Sequence, residues 1–262
     1  MSKGYFAPSV KRAFEILKLV SASKDGIGIS DIARDLRMAK STVHGMTSAL
    51  EEIGAVLRDP ATKRYSLGFT LFELGKRAYS QIDLKDLARP LAEELMERTH
   101  ASVFLGVLNW DHVTIVDVVE PRTELKITAP IGTTLPLLAG AAGKVFLSRL
   151  DEEEVKRIIK TKGLTRFTEK SITSTERYLQ EIRAVRENGF ATDDEEYIPG
   201  VRAVAAPIKE AVPLPAAIWV VGLKASLDEE KMKLLTRHAV DAARAIDRRI
   251  ERQRVGPPGA VP

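Results

Sequence analysis

The sequence predicts an α+β protein with a small N-terminal winged helix-turn-helix domain and a larger C-terminal domain in which helices cover a sheet. Two observations carry this prediction. Three helical segments precede two short β-prone runs near the N-terminus, and later strand-like stretches alternate with helices that begin at capping motifs. With 262 residues, of which 44% are hydrophobic, the chain is long enough to bury one or two ordinary cores.

Composition excludes several classes of protein. The chain has no cysteine, which rules out a disulfide scaffold, a thiol nucleophile and a zinc site built on thiolates. No apolar run reaches the roughly 18 residues that a membrane span needs, and residues 1–10 lack an apolar signal core. We therefore expect a cytoplasmic protein with no membrane partner.

The charge is distributed unevenly along the chain. Residues 1–80 hold 13 Lys and Arg against 8 Asp and Glu, which places the whole basic excess in the N-terminal part. A basic patch on a small domain favours a polyanion as partner, although surfaces that bind nothing often carry as much charge.

The first two helices are predicted from capping residues and apolar spacing. Ser9 is the expected N-cap of a helix over 10–20, and Ser30 is the expected N-cap of a short helix over 31–36. The predicted buried face of the first helix comprises Val10, Ala13, Phe14, Leu17 and Val20.

The third helix and the runs that follow it complete the domain. A helix is predicted over 41–53, ended by Gly54, and only residues 37–40 separate it from the second helix. Two β-prone runs, 55–58 and 64–67, then flank an Asp-Pro turn. Three helices and a hairpin in this order are typical of a winged helix-turn-helix domain, which we assign to 1–69.

A linker helix is predicted to connect the two domains. A helical pattern begins at Thr70 and continues over 83–99, with an interruption at Pro90, which a helix tolerates in its first turn but not in its interior. We assign the linker helix to 70–84 and the second domain to 85–252.

The second domain is predicted to contain strands and helices in mixed order. A hairpin turn at 109–111 joins the first two strands, and the predicted strands are 102–108, 114–119, 190–193, 202–208 and 216–223. A helix is predicted over 140–147, and a closing helix over 228–252 precedes a tail, 253–262, that we expect to be disordered. Capping boxes mark helix starts at Asp151 with Glu154, Thr173 with Glu176 and Ser226 with Glu229.

Motifs of catalysis and cofactor binding are missing or incomplete. Gly26-Ile27-Gly28 lacks the third glycine and the preceding strand of a dinucleotide site, and Gly143-Lys144 lacks the rest of a P-loop. The acidic run 193–196 lacks the alternate ligand spacing of a calcium loop, and a solvated strand end explains it better than a metal or catalytic site. We expect no catalytic residues, no cofactor and no metal.

The start of the helix predicted over 140–147 has two readings. Small residues at 139–143 leave the backbone N–H groups of the first turn open to an anionic ligand such as a carboxylate. The alternative is tight packing of the helix against the sheet, which small residues serve equally well.

Two blocks of sequence motifs occur in a characteristic order: 9–17, 40–44, 51–54, 64–68 and 73–75 in the first, and 140–147, 189–196, 199–202 and 205–207 in the second. In these blocks the chain resembles the IclR-type (isocitrate lyase regulator) bacterial transcription regulators. The resemblance implies a winged-helix DNA-binding domain, a linker helix used in dimer contact and a GAF-like effector domain, without enzymatic activity.

The recognition helix of such a domain uses its N-terminal residues to reach base edges and phosphates. Each predicted contact also has an alternative role. Ser41 and Thr42 could cap the helix, His44 could pack at a partly exposed position, and the basic residues of the wing could form a solvated hairpin edge. Gly45 departs from the family, which commonly carries arginine or another long polar residue there. The predicted DNA contacts are Lys40, Ser41, Thr42, His44, Gly45, Arg58, Lys63 and Arg64.

Effector contacts are inferred from the resemblance and from the small-residue helix start. Ala203 stands where many members have cysteine, and Trp219 and Val221 stand where small hydroxyl residues are frequent in members that bind short oxo-acids. An indole and an isopropyl group add apolar surface and remove hydrogen-bonding groups, which argues against glyoxylate-like effectors. The predicted effector contacts are Ile127, Ala141, Ala142, Gly143, Asp193, Ala203, Trp219 and Val221.

The resulting hypothesis is a homodimer, or a tetramer formed as a dimer of dimers, that binds an inverted-repeat operator in double-stranded DNA. It would repress a catabolic operon until a compact aromatic or apolar-bodied acid or amide releases it. Two alternatives stay open at this point: a GAF-type enzyme fused to a DNA-binding domain, and an architectural DNA-binding protein that responds to no ligand.

Overall fold

The computed structural model describes residues 7–80, 83–211 and 214–255. The chain divides into two units, Met1–Gln81 and Ile82–Pro262. The helices and strands of the first unit are α1 (Pro8–Ala22), α2 (Ile29–Asp35), α3 (Lys40–Glu52), β1 (Val56–Arg58), β2 (Tyr65–Leu67) and α4 (Phe69–Ser80).

The start and the buried face of α1 differ from the prediction. Ala7 takes the N-cap position and Pro8 the first turn, where its fixed φ and missing N–H are tolerated, so Ser9 is not the N-cap. Val10 and Phe14 are more than half exposed. The helix instead turns Ile16, Leu17 and Val20 to the core, so the predicted face was partly wrong.

The second and third helices start one or two residues earlier than predicted. Gly28 and Ala39 occupy their N-cap positions, and neither helix has a side-chain cap, so Ser30 is not the N-cap that was expected. Gly54 has a φ of +71° directly after the end of α3, as expected for a glycine that terminates a helix. Val43, Thr47 and Leu50 are the buried residues of α3.

The wing is a two-stranded antiparallel hairpin. Val56 pairs with Leu67 and Arg58 pairs with Tyr65. Ile27 adds an isolated bridge to Tyr65, with N–H···O distances of 3.0 and 2.9 Å, so the hairpin is tied to the segment between α1 and α2. Because Tyr65 is buried, this bridge fixes where the wing lies relative to the helices.

The predicted linker segment, 70–84, forms most of α4, and its residues 81 and 82 lie outside the described residues. The next helix, α5 (Asp83–Thr99), runs through Pro90, so the predicted interruption was wrong. Pro90 is exposed, which lets water satisfy the carbonyl that loses its partner, while Ala88 and Ala92 bury in the core.

The C-terminal unit is built on a six-stranded antiparallel sheet in the order β5-β4-β3-β8-β7-β6. Its strands are β3 (Ser102–Asn109), β4 (His112–Val119), β5 (Thr134–Pro136), β6 (Ala191–Asp194), β7 (Val201–Ile208) and β8 (Ala216–Leu223). The three-residue β5 was not predicted, because so short a run gives no periodicity. The other five strands lie within two residues of their predicted bounds.

Helices cover both faces of this sheet. α5 and α9 (Glu229–Val255) share one core with the inward residues of the central strands, such as Val103 and Val220. The opposite face forms a second core with α6 (Gly140–Leu147), α7 (Glu152–Lys162) and α8 (Thr175–Asn188). The predicted sheet covered by helices is therefore present.

Only one of the three predicted capping boxes has the predicted cap. Asp151 accepts the N–H of Glu154 at 2.7 Å, as expected. Ser174 rather than Thr173 caps α8, and Asp228 rather than Ser226 accepts an N–H at the start of α9. α9 extends to Val255, so residues 253–255 are helical rather than part of the predicted tail, and residues 256–262 lie outside the described residues.

Candidate DNA-binding surface and effector cavity

The N-terminal half of α3 presents an exposed polar surface. The five predicted contact residues of this helix are all exposed, whereas Val43 and Thr47 are buried. Ala39 is the N-cap residue, and the hydroxyls of Ser41 and Thr42 have no hydrogen-bond partner among the described residues. Capping does not occupy these hydroxyls, so they are free to meet phosphates or base edges.

His44 and Gly45 complete this surface. His44 Nδ1 lies 3.2 Å from Ser48 Oγ, one turn further along the helix, which orients the exposed imidazole. A Cβ atom placed on Gly45 would find no atom within 4 Å. Gly45 therefore leaves a gap in the surface that a longer side chain would fill.

The basic residues of the wing are positioned by local contacts. The Arg58 guanidinium lies 5.8 Å from the centroid of the Tyr65 ring, and Arg64 Nε donates a 3.0 Å hydrogen bond to the carbonyl of Gly26. Lys63 is exposed at the hairpin turn with a φ of +60°. Arg64 thus joins the wing to the segment between α1 and α2 by a hydrogen bond. This positional role is additional to the DNA contact predicted for its charge.

Asp59 shapes the turn of the wing. Its Oδ1 accepts the N–H groups of Thr62 at 2.6 Å and Ala61 at 2.9 Å. These donors hold the pKa of Asp59 below its ordinary value. The turn therefore projects the neighbouring basic residues from a defined hairpin.

A cavity of about 120 Å³ lies in the C-terminal unit between the sheet and the N-terminus of α6; we call it the effector cavity. Seven of the eight predicted effector residues line it. Its wall is mainly apolar, and the polar end is formed by the first turn of α6, Asp193 and Tyr197. The other lining residues are Phe104, Ile115, Ile127, Thr128, Ala129, Leu135, Ala139, Ile198, Val201, Ala203, Trp219 and Val221.

Gly143 is the predicted residue that does not line the cavity. A Cβ atom on Gly143 would lie 2.1 Å from the carbonyl oxygen of Leu137. The expectation that Gly143 contacts the effector is therefore corrected: Gly143 allows α6 to pack closely against the backbone at Leu137. Ala141 and Ala142, in contrast, line the cavity.

The aromatic wall depends on a residue that sequence reasoning missed. Trp219 stacks on Phe104 with ring centroids 5.8 Å apart and an interplanar angle of 11°. A Cβ atom on Gly106 would lie 2.5 Å from Trp219 Cη2, so glycine leaves the space that the indole occupies. This pairing across β3 and β8 has no signature in the sequence.

Asp193 is buried beside the N-terminus of α6. Its Oδ1 accepts the N–H of Glu196 at 2.6 Å, and its Oδ2 lies 2.9 Å from where a Cβ on Gly140 would be. Burial raises the pKa of Asp193, although the N–H of Glu196 and the charge of Lys144 act against it. The carboxyl group is therefore easier to protonate than an exposed aspartate.

Lys144 is a second residue that the sequence did not reveal. Its side chain is fully buried, and its Nζ contacts Glu196 Oε1 at 2.6 Å, Thr192 O at 3.0 Å and Glu181 Oε2 at 3.4 Å. Burial raises the pKa of Glu196, and Lys144 opposes the rise. The ammonium group thus fixes the strand that carries Asp193.

The acidic run 193–196 is not the solvated strand end that we expected. Lys170 contacts Asp194 at 2.9 Å and Glu195 at 2.7 Å, and Lys224 also pairs with Glu195. Lys170 and Lys224 lower the pKa of Glu195 to about 2. The run is an ion-pair network, and no cluster suited to a metal ion occurs in the part of the chain that the structure describes.

The comparisons with known proteins agree with this arrangement. The family model described as IclR helix-turn-helix domain matches residues 9–60, and that described as bacterial transcriptional regulator IclR C-terminal matches 76–248. The chain belongs to the IclR family.

Two curated IclR-family relatives show how far the similarity extends. The HTH-type transcriptional regulator KdgR of Escherichia coli (strain K12) is 35% identical over 200 residues, 76% of each chain. The transcriptional repressor IclR of the same organism is 27% identical over 241 residues, which cover 91% of this chain and 88% of the relative. The chain is accordingly a DNA-binding transcription regulator rather than an enzyme.

A solved IclR-family structure shares the fold. The IclR homologue of Microbacterium hydrocarbonoxydans complexed with 4-hydroxybenzoate matches with a TM-score of 0.75 and 20% identity, covering 93% of this chain and 99% of the other. The match shows that the two chains share a fold, and the other protein was crystallised with a small molecule bound. None of the described helices is long and apolar enough to cross a membrane.

Proposed function

We propose that this IclR-family protein is a dimeric repressor of a catabolic operon that a compact ligand with an apolar or aromatic body releases from DNA. The observation that carries the ligand class is the stacked Phe104–Trp219 wall opposite the N-terminus of α6. As a regulator of an operon, it would act in the bacterial cytoplasm, where the operator lies.

The volume of the effector cavity limits the size of the ligand. A cavity of about 150 Å³ lined by apolar side chains accommodates benzene, and the effector cavity measures about 120 Å³. The effector cavity is therefore somewhat smaller than a benzene site, and a single ring with one polar substituent fits when the exposed Ile198 at the wall moves to enlarge it. Larger, multi-ring ligands are disfavoured.

The polar end of the cavity selects the head group. Backbone N–H groups at a helix N-terminus favour a carboxylate or a carbonyl oxygen. Asp193 lies at the same end and repels an anion when it is ionised, because two unpaired negative charges in an apolar site are costly. A protonated Asp193, or an amide or hydroxyl donor on the ligand, relieves this conflict.

Titration calorimetry with 4-hydroxybenzoate, benzamide and glyoxylate tests the ligand class. We expect the two aromatic compounds to bind and glyoxylate not to bind, since the apolar walls offer a short oxo-acid few hydrogen bonds. Trp219→Ser removes the aromatic wall and is expected to weaken benzamide binding at least tenfold. Tight glyoxylate binding with no response to either aromatic compound would refute the proposal.

A thermal-shift measurement separates a ligand-released repressor from an architectural DNA-binding protein. A ligand that binds only the folded protein raises its Tm by mass action. An architectural protein responds to none of the three compounds.

The proposed dimer contact is formed by α4. Phe69 is 75% exposed and Phe72 is 66% exposed, and Leu74 on the same helix is also exposed. Exposed apolar side chains of this size mark interaction sites. A second copy of the chain is the occupant that the family's linker-helix dimer implies, and sedimentation analysis of Phe72→Glu is expected to show monomers.

Footprinting of the upstream intergenic region tests the DNA-binding proposal. A two-fold dimer should protect an inverted repeat with half-sites about one helical turn, or a multiple of it, apart. Protection without a dyad would contradict the model.

Variants of the wing separate charge from positioning. Lys63→Ala removes charge alone and should flatten the salt dependence of binding, with a change of about 0.9 in the log–log slope if one phosphate contact is lost. Arg64→Ala also removes the hydrogen bond to Gly26 and should weaken binding to every sequence more strongly. Thr42→Ala should instead change discrimination between operators.

A further inference from the structure

A second, larger cavity of about 410 Å³ lies at the end of the sheet where β3 begins and β8 ends; we call it the basic cavity. Its wall combines the end of α5, the loop between β4 and β5, and the first turns of α9. The volume lies within the roughly 300–1,000 Å³ typical of small-molecule sites. Apart from Ile127 and Val221, which also line the effector cavity, no residue of this cavity has a part in the regulatory role described above.

The charged residues of the basic cavity all have one sign. Arg98, Lys126 and Lys231 come from three different elements, and His100 and His238 add two imidazoles. No aspartate or glutamate is among the described residues that line the cavity. Three cations around one concave site favour an anionic occupant.

The acidic partners of these cations lie outside the cavity wall. Arg98 pairs with Glu94 at 2.6 Å and Lys126 pairs with Glu120 at 2.8 Å, both at partly exposed positions. Exposed ion pairs of this kind are weak and exchangeable. An anion in the cavity can therefore share or recruit these cations.

A buried hydroxyl also lines the basic cavity. The side chain of Ser102 is 1% exposed, and its Oγ has no hydrogen-bond partner among the described residues. Buried hydroxyls are normally paired, so an unpaired one in a residue of the cavity wall would be satisfied by a ligand acceptor once a small shift of the wall exposes it. This observation is independent of the charges.

We propose that the basic cavity binds a small anion with at least two negative charges. The separated cations can each reach a different anionic group, and Ser102 Oγ donates to one of them. Leu125, Leu234 and Leu235 supply the apolar part of the wall. The site is distinct from the effector cavity, although Ile127 and Val221 line both.

Calorimetric titration of the full chain with citrate, pyrophosphate and acetate at constant ionic strength tests the site. Citrate represents polycarboxylates and pyrophosphate represents phosphorylated ligands, so the tighter of the two identifies the anion type. We expect at least one of them to bind ten times more tightly than acetate. Equal, weak binding of all three overturns the proposal.

A matched pair of variants locates the binding. Lys231 and Lys233 lie on α9, and each faces an acidic residue three positions earlier. Only Lys231 lines the basic cavity. Lys231→Gln is expected to weaken binding of the preferred anion at least fivefold and Lys233→Gln to leave it unchanged, whereas equal effects would place the anion elsewhere and refute the assignment.

Ser102→Ala tests the role of the buried hydroxyl. Because the hydroxyl has no partner among the described residues, its removal should not lower the Tm of the ligand-free protein. Anion affinity should fall about threefold or more, since the ligand loses a donor. An unchanged affinity excludes Ser102 from the site.

The wall shared by the two cavities predicts coupling between them. Val221 follows Trp219 by two residues on β8, and the other of the chain's 2 tryptophans, Trp110, is 93% exposed. In a Trp110→Phe background, the preferred anion should shift Trp219 emission with the affinity measured by calorimetry, and Lys231→Gln should weaken both together. If Trp219 emission does not shift at saturating anion, the coupling is refuted. The coupling rests on the proposed effector cavity, but anion binding at the basic cavity does not.

Discussion

Gly45 is the one predicted DNA contact that has no side chain, and its surroundings are open. Glycine inside a helix is about 0.5–1 kcal/mol less favourable than residues such as alanine or arginine. Gly45→Arg should therefore stabilise α3 by up to about 1 kcal/mol and add one phosphate or base contact. We expect tighter operator binding and a salt slope steeper by about 0.9 in fluorescence anisotropy.

Gly45→Ala is the control for this substitution. It should give the gain in stability without the change in salt slope, because it adds a methyl group and no charge. An arginine variant with the slope of the parent protein would show that position 45 does not face DNA.

The raised pKa of Asp193 predicts how pH affects ligand binding. Burial raises the pKa of this carboxyl group above its ordinary value, which is about 3.9. As pH falls from neutrality towards this raised pKa, more of the group is protonated and it repels a carboxylate less. Affinity for 4-hydroxybenzoate should therefore rise as pH falls, and that for neutral benzamide should stay constant.

Asp193→Asn is the matching variant, since its amide oxygen can still accept the N–H of Glu196. It should bind 4-hydroxybenzoate more tightly at pH 7.5 and remove most of the pH dependence. In the unsubstituted protein, the folded state binds the Asp193 proton more tightly than the unfolded chain does. The contribution of Asp193 to the free energy of unfolding therefore falls as pH rises from the unfolded-state pKa through the raised pKa of the folded state. A pH profile that persists in the variant would point to Glu196, whose pKa burial also raises.

Single residues also show what a sequence reveals about a site. The small residues at the start of α6 predicted an open helix N-terminus, and Trp219 predicted an apolar wall, because both follow from residue type. Gly106 and Lys144 were missed, since their roles depend on strand pairing and burial that bring distant segments together. Such roles cannot be read from local spacing.

The segment that follows α3 and the segment that follows the wing cross at Gly54 and Gly68. A Cβ atom on Gly68 would lie 2.1 Å from the carbonyl oxygen of Gly54. The Gly68 N–H donates to Ala55 O at 2.8 Å, and Thr70 Oγ1 donates to Ile53 O at 2.9 Å. The crossing therefore fixes where the wing lies relative to the recognition helix.

Gly68→Ala should separate these two backbone segments. The clash is with backbone atoms that cannot rotate away, so we expect a loss of roughly 1–3 kcal/mol, the usual range for overpacking. Hydrogen exchange by mass spectrometry should show faster exchange over 55–67, and operator binding should weaken. Gly45→Ala also replaces a glycine by alanine, but in open space, and should slow hydrogen exchange in α3 instead. Similar exchange behaviour of the two variants would contradict the argument.

Element boundaries were predictable where a local signal dominates. Asp151 capped its helix as predicted, because an aspartate followed by acidic residues suits a helix start. Pro90 was wrongly predicted to interrupt a helix, since its exposure and the core contacts of its neighbours are properties of the folded unit. Tertiary packing decided the second case.

Across the chain, the order of helices and strands predicted both units, and the resemblance of the sequence motifs predicted the family. The sheet order β5-β4-β3-β8-β7-β6 was not predictable, because a local pattern does not say which strands pair. The basic cavity arises at the junction of three elements that are distant in sequence, so it too required the structure.

The proposed repressor links DNA binding in one unit to ligand binding in the other, and this link must be reciprocal. If a ligand lowers operator affinity by a given factor, the operator lowers ligand affinity by the same factor, typically about 5–150-fold. Anisotropy of a labelled operator with and without saturating benzamide gives the first factor, and calorimetry of benzamide on free and operator-bound protein gives the second. Trp219→Ser should retain operator affinity and lose the response to benzamide, because its change is confined to the effector cavity. Benzamide binding that leaves operator affinity unchanged would show that the cavity does not control DNA release.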